Sequence, residues 1–285
     1  MTPVFINPFT DFGFKKIFGQ ESNKHILIGF LNALFEGEFV VSDLKYRDKE
    51  QLPERMHERC VIFDIFCTTS DGEHFILEMQ NKTQEFFENR VLYYAARSIV
   101  SQGQKGDWDY AYNAVYGIFF MNFTHDILRN DFRSDFGIRN LKNDKPENLQ
   151  VLTSKLRMVF LQMPVFQKTP EECQTNLDKW TYILKNMETL TQIPWREQDE
   201  LFEEISKVAS REALSEEERN QYDDALRNYR DNIAMLKAAK NEGINEGTQN
   251  ERSRIARSLL SMNISEDIIS QSTGLSSEQI QKLKS

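Results

Sequence analysis

Apolar positions along the first 35 residues recur at helical spacing. Asn7-Pro8 is a breaker, Thr10 a candidate N-cap, and Asp11 falls in the first turn, where the helix dipole favours an acid. Phe12, Ile17 and Phe18 mark an apolar face, Lys15 and Lys16 a basic one. A second helix is predicted from Ser22 to Phe35, with Ile26, Leu27, Phe30, Leu31 and Leu34 turned inward. The period then changes. Residues 38–46, 59–68 and 74–81 read as strands, rich in Val, Ile and Phe. The second and third are apolar on both faces, as in central strands covered on both sides. Ser70-Asp71-Gly72 between them is a turn signal. A helix over 86–104, a buried strand over 114–123 and further strands over 131–139 and 156–163 follow. This order predicts an α/β core with helices leading in, spanning 1–165.

Beyond Pro164 the pattern turns helical. Thr169-Pro170-Glu171-Glu172 reads as a helix start, and Ser215-Glu216-Glu217-Glu218 opens a long polar helix reaching about Lys240. Residues 166–240 are therefore expected to form a helical extension. Gly243 and Gly247, each after a Glu, predict a flexible joint or frayed helix. Residues 250–285 form a small tail unit. A helix over 254–262 precedes one capped by Ser265 and closed by Gly274. Ser276 and Gln279 then stand at capping-box spacing. This pattern is helix–turn–helix-like, and suits either a packing or dimerisation appendage or a DNA-binding element.

Composition narrows the classes. The chain has 285 residues, 40% of them hydrophobic and 28% charged, which fits a folded globular protein. No basic start followed by an apolar run opens the sequence, so no secretory signal is expected, and no apolar stretch approaches membrane-spanning length. Cys60, Cys67 and Cys173 form no cluster, which fits a reducing cytoplasm rather than a zinc site. The net charge of −9 argues against a protein that coats nucleic acid indiscriminately. His25, His57, His74 and His125 are scattered, and no phosphate-cradling glycine loop or nucleophile elbow occurs.

Two carboxylates carry the chemistry. Asp64 lies inside the apolar run Val61 to Phe66, and Glu78 inside Phe75 to Met79. Acids in core strands are costly unless paired, protonated or bound to a cation. If Ser70-Asp71-Gly72 forms a three-residue loop closed by a left-handed glycine, Thr69 faces Glu73 and, counting back, Asp64 faces Glu78. Directly opposed residues lie about 4.5–5.5 Å apart at Cβ, close enough to share one hard cation. A two-residue Asp71-Gly72 loop instead puts the acids on opposite faces. A buried structural pair is the alternative to a metal site.

An acid on one strand, then Glu-x-Gln on the next, then a helix, resembles the PD-(D/E)XK nucleases. The closer resemblance is to the Rpn recombination-promoting nucleases, also called PD-(D/E)XK nuclease family transposases. It rests on Thr10-Asp11-Phe12-Gly13-Phe14-Lys15-Lys16-Ile17-Phe18-Gly19, Asp64, Ile76-Leu77-Glu78-Met79-Gln80, and Arg90 with Tyr93-Tyr94-Ala95-Ala96-Arg97. It implies a restriction-endonuclease-like fold, an α/β mixed sheet flanked by helices, and a Mg²⁺- or Mn²⁺-dependent DNA endonuclease of low sequence selectivity, tied to recombination or mobile elements. Asp64 and Glu78 carry over as metal ligands, with the Met79 backbone carbonyl as a third. Gln80 takes the usual lysine position, where an amide can orient water but adds no charge. Lys82, two residues on, is a candidate substitute. Asp11 is a candidate outer ligand, or simply a helix-start acid. Arg90, Tyr94, Arg97 and Ser101 share a helix stripe, from which Arg97 is the candidate phosphate contact. RNA as substrate, a homodimer, and a catalytically silent binding module that keeps the fold stay open.

Overall fold

The computed structural model describes residues 3–47, 50–51, 61–140 and 151–283, grouped into two compact units, Met1–Leu226 and Arg227–Ser285. In the first, α1 (Asp11–Phe18) starts at Thr10, whose hydroxyl accepts the Gly13 N–H at 2.9 Å. A Cβ on Gly13 would lie 2.1 Å from the Asn7 carbonyl oxygen, so only glycine fits this tight helix start. α2 (Lys24–Leu34) buries Ile26, Leu27, Phe30, Leu31 and Leu34, as its spacing predicts.

A six-stranded sheet follows: β1 (Leu44–Tyr46), β4 (Ile65–Thr69), β5 (His74–Gln80), β6 (Val115–Met121), β8 (Val151–Gln162) and β7 (Arg133–Arg139), in that spatial order. β5, β6 and β8 run parallel; β1, β4 and β7 pair antiparallel to their neighbours. The β5–β6 crossover is α3 (Phe87–Val100). Side-chain alternation sorts the two faces. Phe66 of β4, Ile76 of β5 and Val115 of β6 meet Ala95 of α3, while Phe119 and Met121 meet Phe87 and Val91. On the other face, Phe120 packs against Phe14, Phe18 and Phe30, with ring centroids 5.2–6.0 Å apart. Trp180 of α4 (Asn176–Asn186) and Phe202 of α5 (Glu200–Val208) extend this cluster. The mixed α/β sheet flanked by helices is the fold class the sequence predicts.

Several boundaries differ from the reading above. The strand expected over 59–68 is broken: β3 (Val61–Ile62) pairs with β2 (Glu50–Gln51) in a separate ribbon, and the chain bends at Asp64 before β4 begins. Arg59, Cys60 and His57 lie outside the described residues. Only Leu44–Tyr46 of the expected 38–46 strand pairs. Thr169 opens a single short turn, Pro170–Glu172; the longer helix α4 starts instead at Thr175, whose hydroxyl accepts the Asp178 N–H.

α6 (Glu216–Ser261) carries the chain into the second unit and runs straight through Gly243 and Gly247. The expected joint or fray is not found there. α7 (Glu266–Thr273) ends at Gly274, at φ 69°, and α8 (Ser277–Lys282) opens with the Ser276–Gln279 capping box, both as the sequence predicts. Ala256, Ile269, Leu275 and Ile280 form the buried centre of this unit. Among the described residues, no helix is long and apolar enough to cross a membrane.

Candidate active site

The hairpin turn fixes the site. Gly72, at φ 86°, donates to the Thr69 carbonyl at 3.0 Å, and the Thr69 N–H donates to the Glu73 carbonyl at 3.0 Å. The ladder runs Thr68 against His74, Cys67 against Phe75, Phe66 against Ile76 and Ile65 against Leu77. One further step puts Asp64 against Glu78, the register of the three-residue loop. Glu78 therefore shares the α3-covered face with Ile76, near the C-terminal end of β5, and Asp64 meets it from the bend just past the last ladder pair.

At Asp64 the ladder stops being a backbone ladder. In antiparallel pairing, alternate residues turn their main-chain groups towards the partner strand. For β5 these are Glu73, Phe75, Leu77 and Met79. The Met79 N–H finds no strand carbonyl opposite: it donates to the Asp64 carboxylate (Oδ2) at 2.8 Å. The Asp64 N–H in turn donates to Glu78 Oε1 at 3.1 Å. Each carboxylate thus closes a main-chain gap left by the bend. The Met79 main chain is thereby tied to the Asp64 carboxylate.

Glu78 is 1% exposed and Gln80 7%. The Gln80 side-chain amide donates to Glu78 Oε2 at 3.2 Å. Burial, and then the Asp64 charge, push the Glu78 carboxyl up to about 8. Burial also raises Asp64, opposed by the Met79 hydrogen bond and by Lys15, and reinforced by Asp11. Two shielded carboxylates that hinder each other's ionisation are short of positive charge. The N-terminal block closes one side: Asn81, just past β5, donates to the Phe9 carbonyl at 2.7 Å. Asp11 is exposed and paired with Lys15 at 2.5 Å, within electrostatic reach of Asp64.

The structure thus brings Asp64, Glu78, Met79 and Gln80 together, with Asp11 nearby. Lys82 is exposed and makes no ion pair with a described residue. From the α3 stripe, Arg90 rather than Arg97 reaches the acids, with Nη2 3.7 Å from Glu78 Oε2. Arg97 follows seven residues along the helix. The choice follows from the direction of α3, which starts beside the C-terminal end of β5 and runs back, so that Ser98 reaches His74 at the strand's other end while Arg90 lies at the Glu78 end.

A mixed sheet with an acid at a strand bend, Glu-x-Gln on the neighbouring strand and a crossover helix over both defines a PD-(D/E)XK nuclease-like protein. The chain belongs to the PD-(D/E)XK nuclease family transposases, whose family profile matches residues 8–239. No curated protein and no solved structure matches the chain.

Proposed function

We propose that the chain is a divalent-metal-dependent DNA endonuclease of low sequence selectivity, acting in recombination or on mobile elements in a reducing cytoplasm. The observation that carries this reading is the convergence of Asp64 and Glu78 at one buried strand end. Their oxygens are hard donors deprived of solvent, which suits Mg²⁺ or Mn²⁺. Among the described residues, no three His, Cys, Asp or Glu side chains stand together. The Met79 carbonyl, water and substrate phosphate would therefore complete the ligand set. When bound, the ion supplies positive charge at the phosphate and makes a nearby water more acidic.

The chain's own residues do the rest. Asp64 and Glu78 would hold the ion, and they are tied together through the Met79 and Asp64 N–H groups. Gln80, seated against Glu78, orients water without adding charge. Asp11 lies at the outer edge of the acid pair, and Lys82 is available only from the solvent side. Double-strand cutting by a subunit with one site requires two subunits, so a homodimer belongs to this reading.

The test is nicking of supercoiled plasmid by purified protein with Mg²⁺ or Mn²⁺. Asp64→Ala and Glu78→Ala should each lower nicking by at least ~10³-fold, as expected when a group essential to the transition state is lost. Equal nicking by wild type and both variants overturns the assignment. A parallel RNA digest decides the sugar. The two carboxylate-to-main-chain bonds favour a second reading, a silent DNA-binding or interaction module in which the acids only end the ladder. Wild-type protein that binds DNA but never cuts it with either metal supports that reading.

A further inference from the structure

The site has a Gln where the resemblance would place a lysine, so its positive charge must come from elsewhere. Three described cations are candidates: Lys15 and Arg90, which act electrostatically on Asp64, and Lys82, two residues past Gln80. Lys15 is taken up by Asp11 at 2.5 Å. Lys82 is exposed and makes no ion pair with a described residue. Arg90 is held in place from two sides. Its Nε donates to the Tyr94 hydroxyl at 2.9 Å, and its Nη1 donates to Gln84 Oε1 at 2.8 Å. The guanidinium carbon sits 5.0 Å from the Tyr94 ring centre. These contacts leave the Nη2 edge aimed at Glu78 Oε2 across 3.7 Å, too long for a charge-assisted hydrogen bond. The side chain is 36% exposed, against 2% for Glu78, so one edge faces the acids while another part reaches solvent. A guanidinium carries five N–H donors in a fixed fork, and this fork is only partly used.

We infer that Arg90 is a catalytic residue: its Nη2 edge contacts a non-bridging oxygen of the scissile phosphate and supplies the charge that Gln80 lacks. Tyr94 and Gln84 are positioning residues that fix the fork. The inference rests on the nuclease reading for its reaction, but the contact itself is to a phosphate and can be measured separately. The rival role is structural, with Arg90 merely neutralising Glu78. The two roles differ in their effect on metal binding. Removing a cation beside two carboxylates leaves Mn²⁺ binding intact or tighter if Arg90 serves the substrate. It disturbs the acids and weakens Mn²⁺ binding if Arg90 serves the fold.

The experiment uses the full chain and its Arg90→Gln, Arg90→Lys and Arg90→Gln/Gln80→Lys variants. Plasmid nicking, Mn²⁺ titration and binding of a short DNA duplex in Ca²⁺ at several salt concentrations are measured. Arg90→Gln should slow nicking by about 10²–10³-fold, the usual loss for one electrostatic donor to a transition state. It should keep Mn²⁺ affinity and lower the salt slope of duplex binding by about one contact. Adding Gln80→Lys should recover at least tenfold of the lost rate, and Arg90→Lys should retain part of it. Wild-type nicking rates in Arg90→Gln, loss of Mn²⁺ binding in that variant, or no recovery in the double variant each overturn the inference. If wild-type protein does not cut at all, the nuclease reading fails by itself. An unchanged salt slope in Arg90→Gln then rejects the phosphate contact independently.

Discussion

The end of the β4–β5 hairpin and the middle of α6 treat polar groups in opposite ways. In the hairpin, two carboxylates and an amide are drawn into a buried strand end, where the carboxylates accept main-chain N–H groups freed by a bend and the amide donates to Glu78. In α6, residues 230–252 are exposed on every side, and the main chain is satisfied within the helix itself. The first region depends on tertiary packing from α3 and the neighbouring strands. The second depends on local helix propensity. A single side-chain change should therefore have a large effect in one and a small effect in the other. Phe66→Ala removes a 6%-exposed ring packed among Phe63, Ile76, Ala95 and Leu156. It should cost about 3–5 kcal/mol. Leu236→Ala, at a side chain 41% exposed on α6, should stay within about 0.5 kcal/mol. Denaturant midpoints of the two variants measure the contrast. Comparable losses would mean that α6 is packed against something in solution.

The acids sharpen the same contrast, because the hairpin's polar groups oppose its stability. Glu78 has its carboxyl raised from the ordinary range to about 8 by burial and by Asp64. A raised acid binds its proton more tightly when folded, so its contribution to stability is complete below about pH 4.5 and falls away as pH climbs towards 8. In chelator, wild-type protein should lose on the order of a few kcal/mol between pH 5 and pH 8. Glu78→Gln should flatten that slope and be the more stable form at pH 8, while giving no nicking. Thermal melts in EDTA across this range provide the check. Mn²⁺ should restore wild-type stability at pH 8 and leave the variant unmoved. Parallel pH profiles for the two proteins would show that Glu78 is not the group responsible.

How far each region was legible in the sequence follows from the same physics. The facing of Asp64 and Glu78 could be read because one short turn sets the hairpin register, and Gly72 at φ 86° is the residue that turn requires. Gly72→Ala places a side chain in a left-handed conformation and a Cβ 2.6 Å from the Asn113 amide. It should cost about 1–2 kcal/mol and lower nicking in proportion to the displaced register. The break at Asp64 was not legible. Val61 to Phe66 reads in sequence as one continuous apolar strand, and the ribbon between Val61–Ile62 and Glu50–Gln51 shows that the chain leaves the sheet. Arg90 was visible as one of two arginines on a helix stripe. Its selection over Arg97 rests on the direction of the crossover, which sets the start of α3 beside Glu78 and Ser98 beside His74.

The α6 glycines failed as a signal for the converse reason. Each glycine costs a helix about 1 kcal/mol relative to alanine, which locally reads as a joint. Over a 46-residue helix that cost is distributed among many hydrogen bonds and good helix formers such as Ala238, Ala239, Lys240 and Glu246. Gly243 and Gly247 have open space where a Cβ would stand, so alanine meets no obstacle there. Gly243→Ala and Gly247→Ala should each stabilise the helix by about 0.5–1 kcal/mol. Helical circular dichroism on heating should show the gain, with nicking and Mn²⁺ binding unchanged. A loss of helix in either variant would mean that the absence of a side chain, rather than backbone freedom, is what those positions supply.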